Sequence, residues 1–311
     1  MSLATAYLPF TPNARARHPK ARVWRPFPCE VADIVGVEDH GADLELRMYP
    51  WFAMSLVRSP AVVTVESRRD IVAHRHSVVL IPPFQLYGLR ALGELDEGAV
   101  TLLLRGTGRE GRGLPTQAAL ATDPALGDAV AGLMSRLLPP VASVEHATAV
   151  GSLFERLLER SAPLVPDRTR QNGPLALVRT YLKTNVNELV STWDVARMSG
   201  LGASQAIRAF HYEFGLPPHA YHLRVRLAAA CELLTRGVAI ARVANECGFA
   251  DQSHLSRRFK SVYGVTPATW AAGSAGGRAS DVGVSTRAID APVKLTSVSF
   301  QRTGRGTKEA R

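Results

Sequence analysis

The chain has 311 residues, enough for two ordinary domains, and is 46% hydrophobic and 21% charged,. Its longest apolar run, residues 78–82, stops at Pro82 and Pro83, far short of a bilayer span, which excludes a helical membrane protein,. The formal charge of +10 is uneven: residues 1–174 carry a net +1, residues 175–272 a net +5 and residues 273–311 a net +4. The basic excess therefore lies in the C-terminal part, where a phosphate-binding surface would need it.

The N-terminus shows no charged-then-apolar leader, so a cytoplasmic location is expected,. Up to about residue 32 the chain reads as an extended basic arm, with Arg15, Arg17, Lys20, Arg22 and Arg25 among several prolines. Residues 34–106 carry strand signals. Leu44, Glu45, Leu46, Arg47 and Met48 alternate with period two, Val62, Val63, Thr64 and Val65 are mostly β-branched, and residues 76–81 and 99–104 are short apolar runs,. Strands at this spacing predict a small antiparallel sandwich or barrel.

Helical periodicity follows in residues 125–138 and 144–160. The second stretch places Ala147, Val150, Leu153, Phe154, Leu157 and Leu158 at threes and fours,. That stripe can pack on its own domain or form a seam between two copies, with Leu153 and Leu157 at its centre. Residues 161–174, with three prolines, read as a linker,. The pattern is then helical to Trp270, and the Gly/Ser/Thr-rich basic tail after Gly273 is expected to be disordered,. The resulting division is residues 1–165 for a sensor and dimerisation domain, 166–174 for the linker, 175–272 for a helical domain and 273–311 for the tail.

An internal repeat dominates the helical part. Val195-Ala196-Arg197-Met198-Ser199-Gly200-Leu201 matches Val243-Ala244-Asn245-Glu246-Cys247-Gly248-Phe249: a small Ala for close packing, then a Gly to end the helix,. Downstream, Ala206, Arg208, Phe210, Phe214, Gly215, Pro218 and Tyr221 correspond to Leu255, Arg257, Phe259, Tyr263, Gly264, Pro267 and Trp270. The offset is 49 residues at all seven positions but 48 at the upstream Ala and Gly, so the second turn is one residue longer.

At 100° per residue, Leu255 and Phe259 set the core face of the second helix. Ser253, Arg257 and Lys260 then point outward with His254 at the flank, and Gln252 opens the helix. In the first copy Ala206 and Phe210 face inward, while Ser204, Arg208 and His211 face outward beside Gln205. Arg can bind guanine bidentately, Gln can pair with adenine, and Ser and Lys suit base edges or phosphates. An Arg beside a core Phe can instead serve a structural ion pair. Residues 219–234 between the copies predict a helix of about 24 Å, able to hold two reading heads at a fixed separation; heads entering one DNA face would need successive major-groove turns, roughly 34 Å apart.

These residues resemble the AraC/XylS family of transcription regulators. The resemblance covers residues 175–270 and rests on Ala196-x3-Gly200, on Arg208-x-Phe210-x4-Gly215-x2-Pro218-x2-Tyr221, and on residues 248–267 from Gly248-Phe249-x2-Gln252-Ser253 to Gly264-x2-Pro267. It implies an α+β chain with an all-α double helix-turn-helix domain binding promoter DNA through both second helices, and contact with RNA polymerase as an activator or a repressor. It departs at Ala206, where members usually carry Leu, and at Gly202, where they carry Ser or Thr, so the first head is expected to be less rigid. Ser77 to Pro83 with Tyr87 resembles the cupin strand-turn of the family's β-rich sensor domains, which bind a small-molecule effector and form homodimers; no effector-binding residue can be assigned.

The rival reading is a metal-dependent cupin enzyme fused to a DNA-binding domain. It starts from His74 and His76, which would share one side of a strand as metal ligands do. No acidic residue follows before Glu94, so no enzyme activity, metal or cofactor is expected. Cys29, Cys231 and Cys247 have no CxxC spacing and read as reduced structural thiols; a repair protein using Cys29 as alkyl acceptor would need a zinc-cysteine cluster that the sequence lacks,.

Overall fold

A computed structural model describes residues 20–25, 33–40, 46–66, 68–92, 98–105, 117–136, 144–164 and 173–274. The first part is two antiparallel sheets. The larger is seven-stranded, in the order β1 (Lys20–Trp24), β2 (Asp33–His40), β8 (Ala99–Arg105), β3 (Phe52–Val57), β6 (Val78–Ile81), β9 (Ala119–Ala121) and β10 (Ala162–Pro163). The smaller pairs β4 (Ala61–Val65) with β5 (Arg68–Ala73) on one side and β7 (Tyr87–Ala91) on the other.

Both faces of the large sheet are buried, so its central strands are apolar without alternation. Ala53, Val57, Val79, Ile81 and Leu103 pack with Val63, Val65 and Leu89 of the small sheet. The opposite face presents Phe52, Met54, Leu56, Leu80, Leu102 and Leu104 to helices α1 (Pro124–Arg136) and α2 (Val144–Arg160). The register pairs Ser55 with Thr101, and their buried hydroxyls satisfy each other at 2.8 Å,.

The α2 stripe takes the first of its two alternatives and packs on its own domain. Val150, Leu153, Phe154 and Leu157 are buried on Leu126, Val130, Leu133 and the sheet, with Phe154 edge-on to Phe52 at 5.0 Å. They form an intramolecular layer, so these four side chains are not available to a second copy. Periodicity reports that a face is buried but not what buries it.

Four expectations change. Residues 20–24 of the basic arm are a strand paired with β2; Arg15 and Arg17 lie outside the described residues, as does Cys29. In the stretch expected as a strand at residues 44–48, Leu44 and Glu45 are likewise undescribed, and Arg47 makes only an isolated bridge to Tyr87. His74 and His76 sit in the turn between β5 and β6, so they are not alternate residues of a strand; His76 has φ 67° and pairs through Nδ1 with Asp128 at 2.6 Å. No metal-binding cluster of His, Cys, Asp or Glu occurs among the described residues. Residues 162–163 of the linker stretch extend the sheet by pairing with β9.

Seven helices follow: α3 (Pro174–Thr184), α4 (Thr192–Ser199), α5 (Ala203–Phe214), α6 (Pro218–Thr235), α7 (Ile240–Glu246), α8 (Gln252–Tyr263) and α9 (Pro267–Ser274). The last helix takes in Gly273 and Ser274, the start of the expected tail; the expected disorder of residues 275–311 lies outside the described residues. No helix among the described residues is long and apolar enough to cross a membrane.

The strands and the helices share cores. Residues 46–51 run along α6, α8 and α9: Arg224 Nε donates to the Leu46 carbonyl at 2.5 Å, Tyr263 OH to the Met48 carbonyl at 2.6 Å, and Trp51 Nε1 to the Glu232 carboxylate. Tyr49 stacks on Tyr263, with centroids 5.4 Å apart, and on Trp270 at 6.2 Å. Leu46, Met48 and Leu86 also pack with Val178, Leu182, Phe210 and Tyr221. For this reason α6 is buried all round from Leu227 to Thr235, beyond the single stripe the sequence suggests,.

Candidate nucleic-acid interface

The helices from α4 onward repeat in space as they do in sequence. In the first unit, α5 and the start of α6 carry an aromatic triad: Phe210 to Phe214 at 4.6 Å and 57°, Phe210 to Tyr221 at 5.5 Å and 81°. In the second, α8 and α9 place Phe259 4.7 Å from Tyr263 at 55° and 5.7 Å from Trp270 at 78°. Gly215 and Gly264 cap α5 and α8 with φ 82° and 74°, and Pro218 and Pro267 each open the following helix. Each unit is a helix-turn-helix whose second helix is anchored by the triad. The turn spans residues 200–202 in the first unit but 247–251 in the second: one added position is the extra residue, and the other arises because α7 ends at Glu246, one position before the equivalent of Ser199.

The second helices begin differently. Asp251 caps α8 by accepting the His254 backbone N–H at 2.6 Å, whereas Gly202 gives α5 no side-chain cap. A missing cap costs about 1 kcal/mol of helix stability. The cap of the first unit lies one helix earlier, at α4. There Asp194 N donates to Ser191 Oγ at 3.2 Å, and Ser191 N donates back to the Asp194 carboxylate at 3.0 Å,. The Ser191 hydroxyl also donates to that carboxylate at 2.7 Å, and this bond first, then that of the Ser191 N–H, holds the Asp194 carboxyl below the usual range.

Ser204, Gln205, Arg208 and His211 on α5 are all exposed, opposite buried Ala206 and Phe210. On α8, Gln252, Ser253, Arg257 and Lys260 are exposed opposite Leu255 and Phe259, and His254 is half-buried, edge-on to Phe249 at 5.5 Å. Neither Arg208 nor Arg257 has an ion-pair partner among the described residues. Sequence reasoning left out Arg258, equally exposed beside Arg257, and the α4 pair of Trp193, 70% exposed, with the Arg197 guanidinium 5.9 Å over its ring. An exposed Trp inside a polar helix start was the available signal.

A helix-turn-helix family model matches residues 195–273, which takes in both units. Residues 195–273 therefore form a helix-turn-helix domain similar to those of AraC/XylS-type regulators. Among curated relatives, the probable transcriptional regulator LumQ of Photobacterium leiognathi is 28% identical over 120 residues, 38% of this chain and 48% of its own. The transcriptional activator RhaS of Klebsiella pneumoniae is 29% identical over 126 residues, 39% of this chain and 45% of its own. The chain thus spans about half the length of the curated relatives it matches. A solved AraC-type DNA-binding domain from Chromobacterium violaceum is 29% identical, covering 33% of this chain and 92% of its own with a TM-score of 0.32.

Beneath the exposed faces of this helix-turn-helix domain, α6 presents a polar ledge. His222 is buried, and its Nε2–H donates to the Asn185 carbonyl at 3.0 Å, since a carbonyl can only accept. Burial, reinforced by the Arg226 charge, lowers its pKa to about 4. The unfolded imidazole takes a proton below about pH 6.5, so between there and pH 4 the unfolded chain binds more protons. Stability is therefore expected to fall by up to about 3 kcal/mol as pH drops through that window. Urea midpoints at several pH values check this: His222→Gln should remove part of the slope, and an identical slope in both proteins would contradict it.

Proposed function

We propose that the chain is a sequence-specific DNA-binding transcription regulator. The supporting observation is the duplicated helix-turn-helix, with two triad-anchored second helices that each expose an Arg-bearing face. The net +5 of residues 175–272 supplies the electrostatic part of such binding,. Ser204, Gln205, Arg208 and His211 form one reading face, and Gln252, Ser253, His254, Arg257 and Lys260 the other. By the family resemblance, the reading extends to promoter DNA, RNA polymerase, a small-molecule effector held by the N-terminal part, and a cytoplasmic homodimer. Residues 46–51, packed on α6, α8 and α9, give the N-terminal part a physical route to the heads.

Binding-site selection from random duplex DNA tests the reading. Arg257→Ala is expected to weaken binding by about 1–3 kcal/mol and to relax preference at one base position. Arg208→Ala should weaken binding with a smaller loss of preference, because Gly202 and Ala206 hold α5 less firmly than Asp251 and Leu255 hold α8,. Equal or reversed loss of preference would contradict the difference between the heads. Unchanged affinity in both variants would remove the two arginines from the interface.

A further inference from the structure

Arg226 lies in the middle of α6, and its guanidinium reaches two segments that are far apart in sequence. Nε donates to the Val186 carbonyl at 2.8 Å and Nη2 to the Glu188 carbonyl at 2.7 Å, both in the loop leading into α4. Nη1 donates to the Gly248 carbonyl at 3.0 Å, in the turn of the second helix-turn-helix. One side chain thus joins the entrance of the first head to the turn of the second across the helix that connects them. The same two segments also touch directly. A Cβ at Gly248, where φ is +71°, would lie 2.9 Å from the Asn187 carbonyl oxygen and 3.2 Å from the Arg226 guanidinium carbon. His222, one turn earlier on α6, binds the same loop at Asn185.

The chemistry of the contact is specific to arginine. A planar guanidinium has donors fixed in a fork, so three carbonyls held in three directions constrain one another. A lysine at this position would keep the charge but lose the fixed geometry. We infer that Arg226 is the positioning residue that sets the separation and relative orientation of α5 and α8, and with it the spacing between the two DNA subsites; this rests on the DNA-binding reading above.

One base pair inserted between subsites moves them by about 3.4 Å and turns them by roughly 34°, a displacement that a rigid pair of heads cannot follow. The experiment takes the site selected by the full-length wild type and measures affinity with one base pair added or removed between its subsites. Wild type is expected to lose about tenfold or more at the altered spacings. Arg226→Lys should bind the parent site more weakly, but with an altered-spacing penalty of only about threefold or less and unchanged base preference within each subsite. A variant that keeps the wild-type penalty, weakened equally at every spacing, would show that Arg226 only supports the fold and would overturn the inference.

A second measurement does not involve DNA. Spin labels on Tyr212→Cys and Arg258→Cys, in a Cys29→Ser background, report the distance between α5 and α8 in the full chain; native Cys231 and Cys247 are buried. Arg226→Lys should broaden that distance distribution, and an unchanged width would also overturn the inference. If wild type selects no DNA sequence, the regulator reading fails, while the spin-label widths still decide whether Arg226 fixes the heads.

Discussion

Leu157→Glu is expected to prevent folding and not merely to separate two copies of the chain. Leu157 is fully buried between the large sheet and α1, in one cluster with Leu126, Val130 and Phe154. Truncating such a leucine to alanine costs about 2–5 kcal/mol. Glutamate adds an unpaired buried carboxylate worth several kcal/mol more, or a proton taken up to avoid it. The sum is comparable to the roughly 5–15 kcal/mol that holds an ordinary domain together. Soluble yield and thermal melting of Leu157→Glu beside Leu157→Ala check this: the alanine variant should melt earlier, and the glutamate variant should be largely insoluble. A Leu157→Glu protein that melts like wild type but has half its mass in solution would restore the seam between copies.

Tyr49→Ala is expected to cost about 3–5 kcal/mol, and to do so in two places at once. The ring is 2% exposed and lies against Tyr87, from the small sheet, and against Tyr263 and Trp270, from the second head. Its hydroxyl accepts from Arg47 Nη1 at 3.3 Å. Its loss therefore opens a cavity bounded by strands and helices together. Hydrogen exchange is the suitable measurement, because it reads protection element by element. Amides of α8 and α9 should lose protection in step with those of β4 and β7. Unchanged protection in α8 and α9, with the strands alone loosened, would show that the second head stands without this contact.

The repeat was legible because its positions are core positions. Phe210, Phe214 and Tyr221 match Phe259, Tyr263 and Trp270 in sequence since each set builds the same triad. The exposed residues followed by angle from Ala206 and Leu255, including the half-buried flank position of His254. What escaped was every contact made by irregular chain. Residues 46–51 pack through their side chains and backbone carbonyls without belonging to a ladder, so the period-two alternation at Leu46 to Met48 did not reveal the helices that cover them. The run from Leu227 to Leu234, apolar nearly all round, was the sign that α6 is covered on more than one side,. Arg226 was not singled out, because bonds to distant carbonyls leave no trace in spacing. His74 and His76 alternate as strand residues would, but the chain turns there.

The shared cores also bear on linkage. A molecule that binds only the folded chain stabilises whatever unfolds with its site, by RT ln(1 + [L]/Kd). At a hundred times its Kd that amounts to about 2.7 kcal/mol. In a protein whose parts touched only through a flexible tether, this free energy would stay within the part that binds. Here Tyr49, Trp51 and Leu86 complete the hydrophobic clusters of the helices, so the strands cannot open without uncovering Trp270, Tyr263 and Phe210. Occupancy anywhere in the two sheets is therefore felt as melting temperature in the reading heads, with no movement of either required.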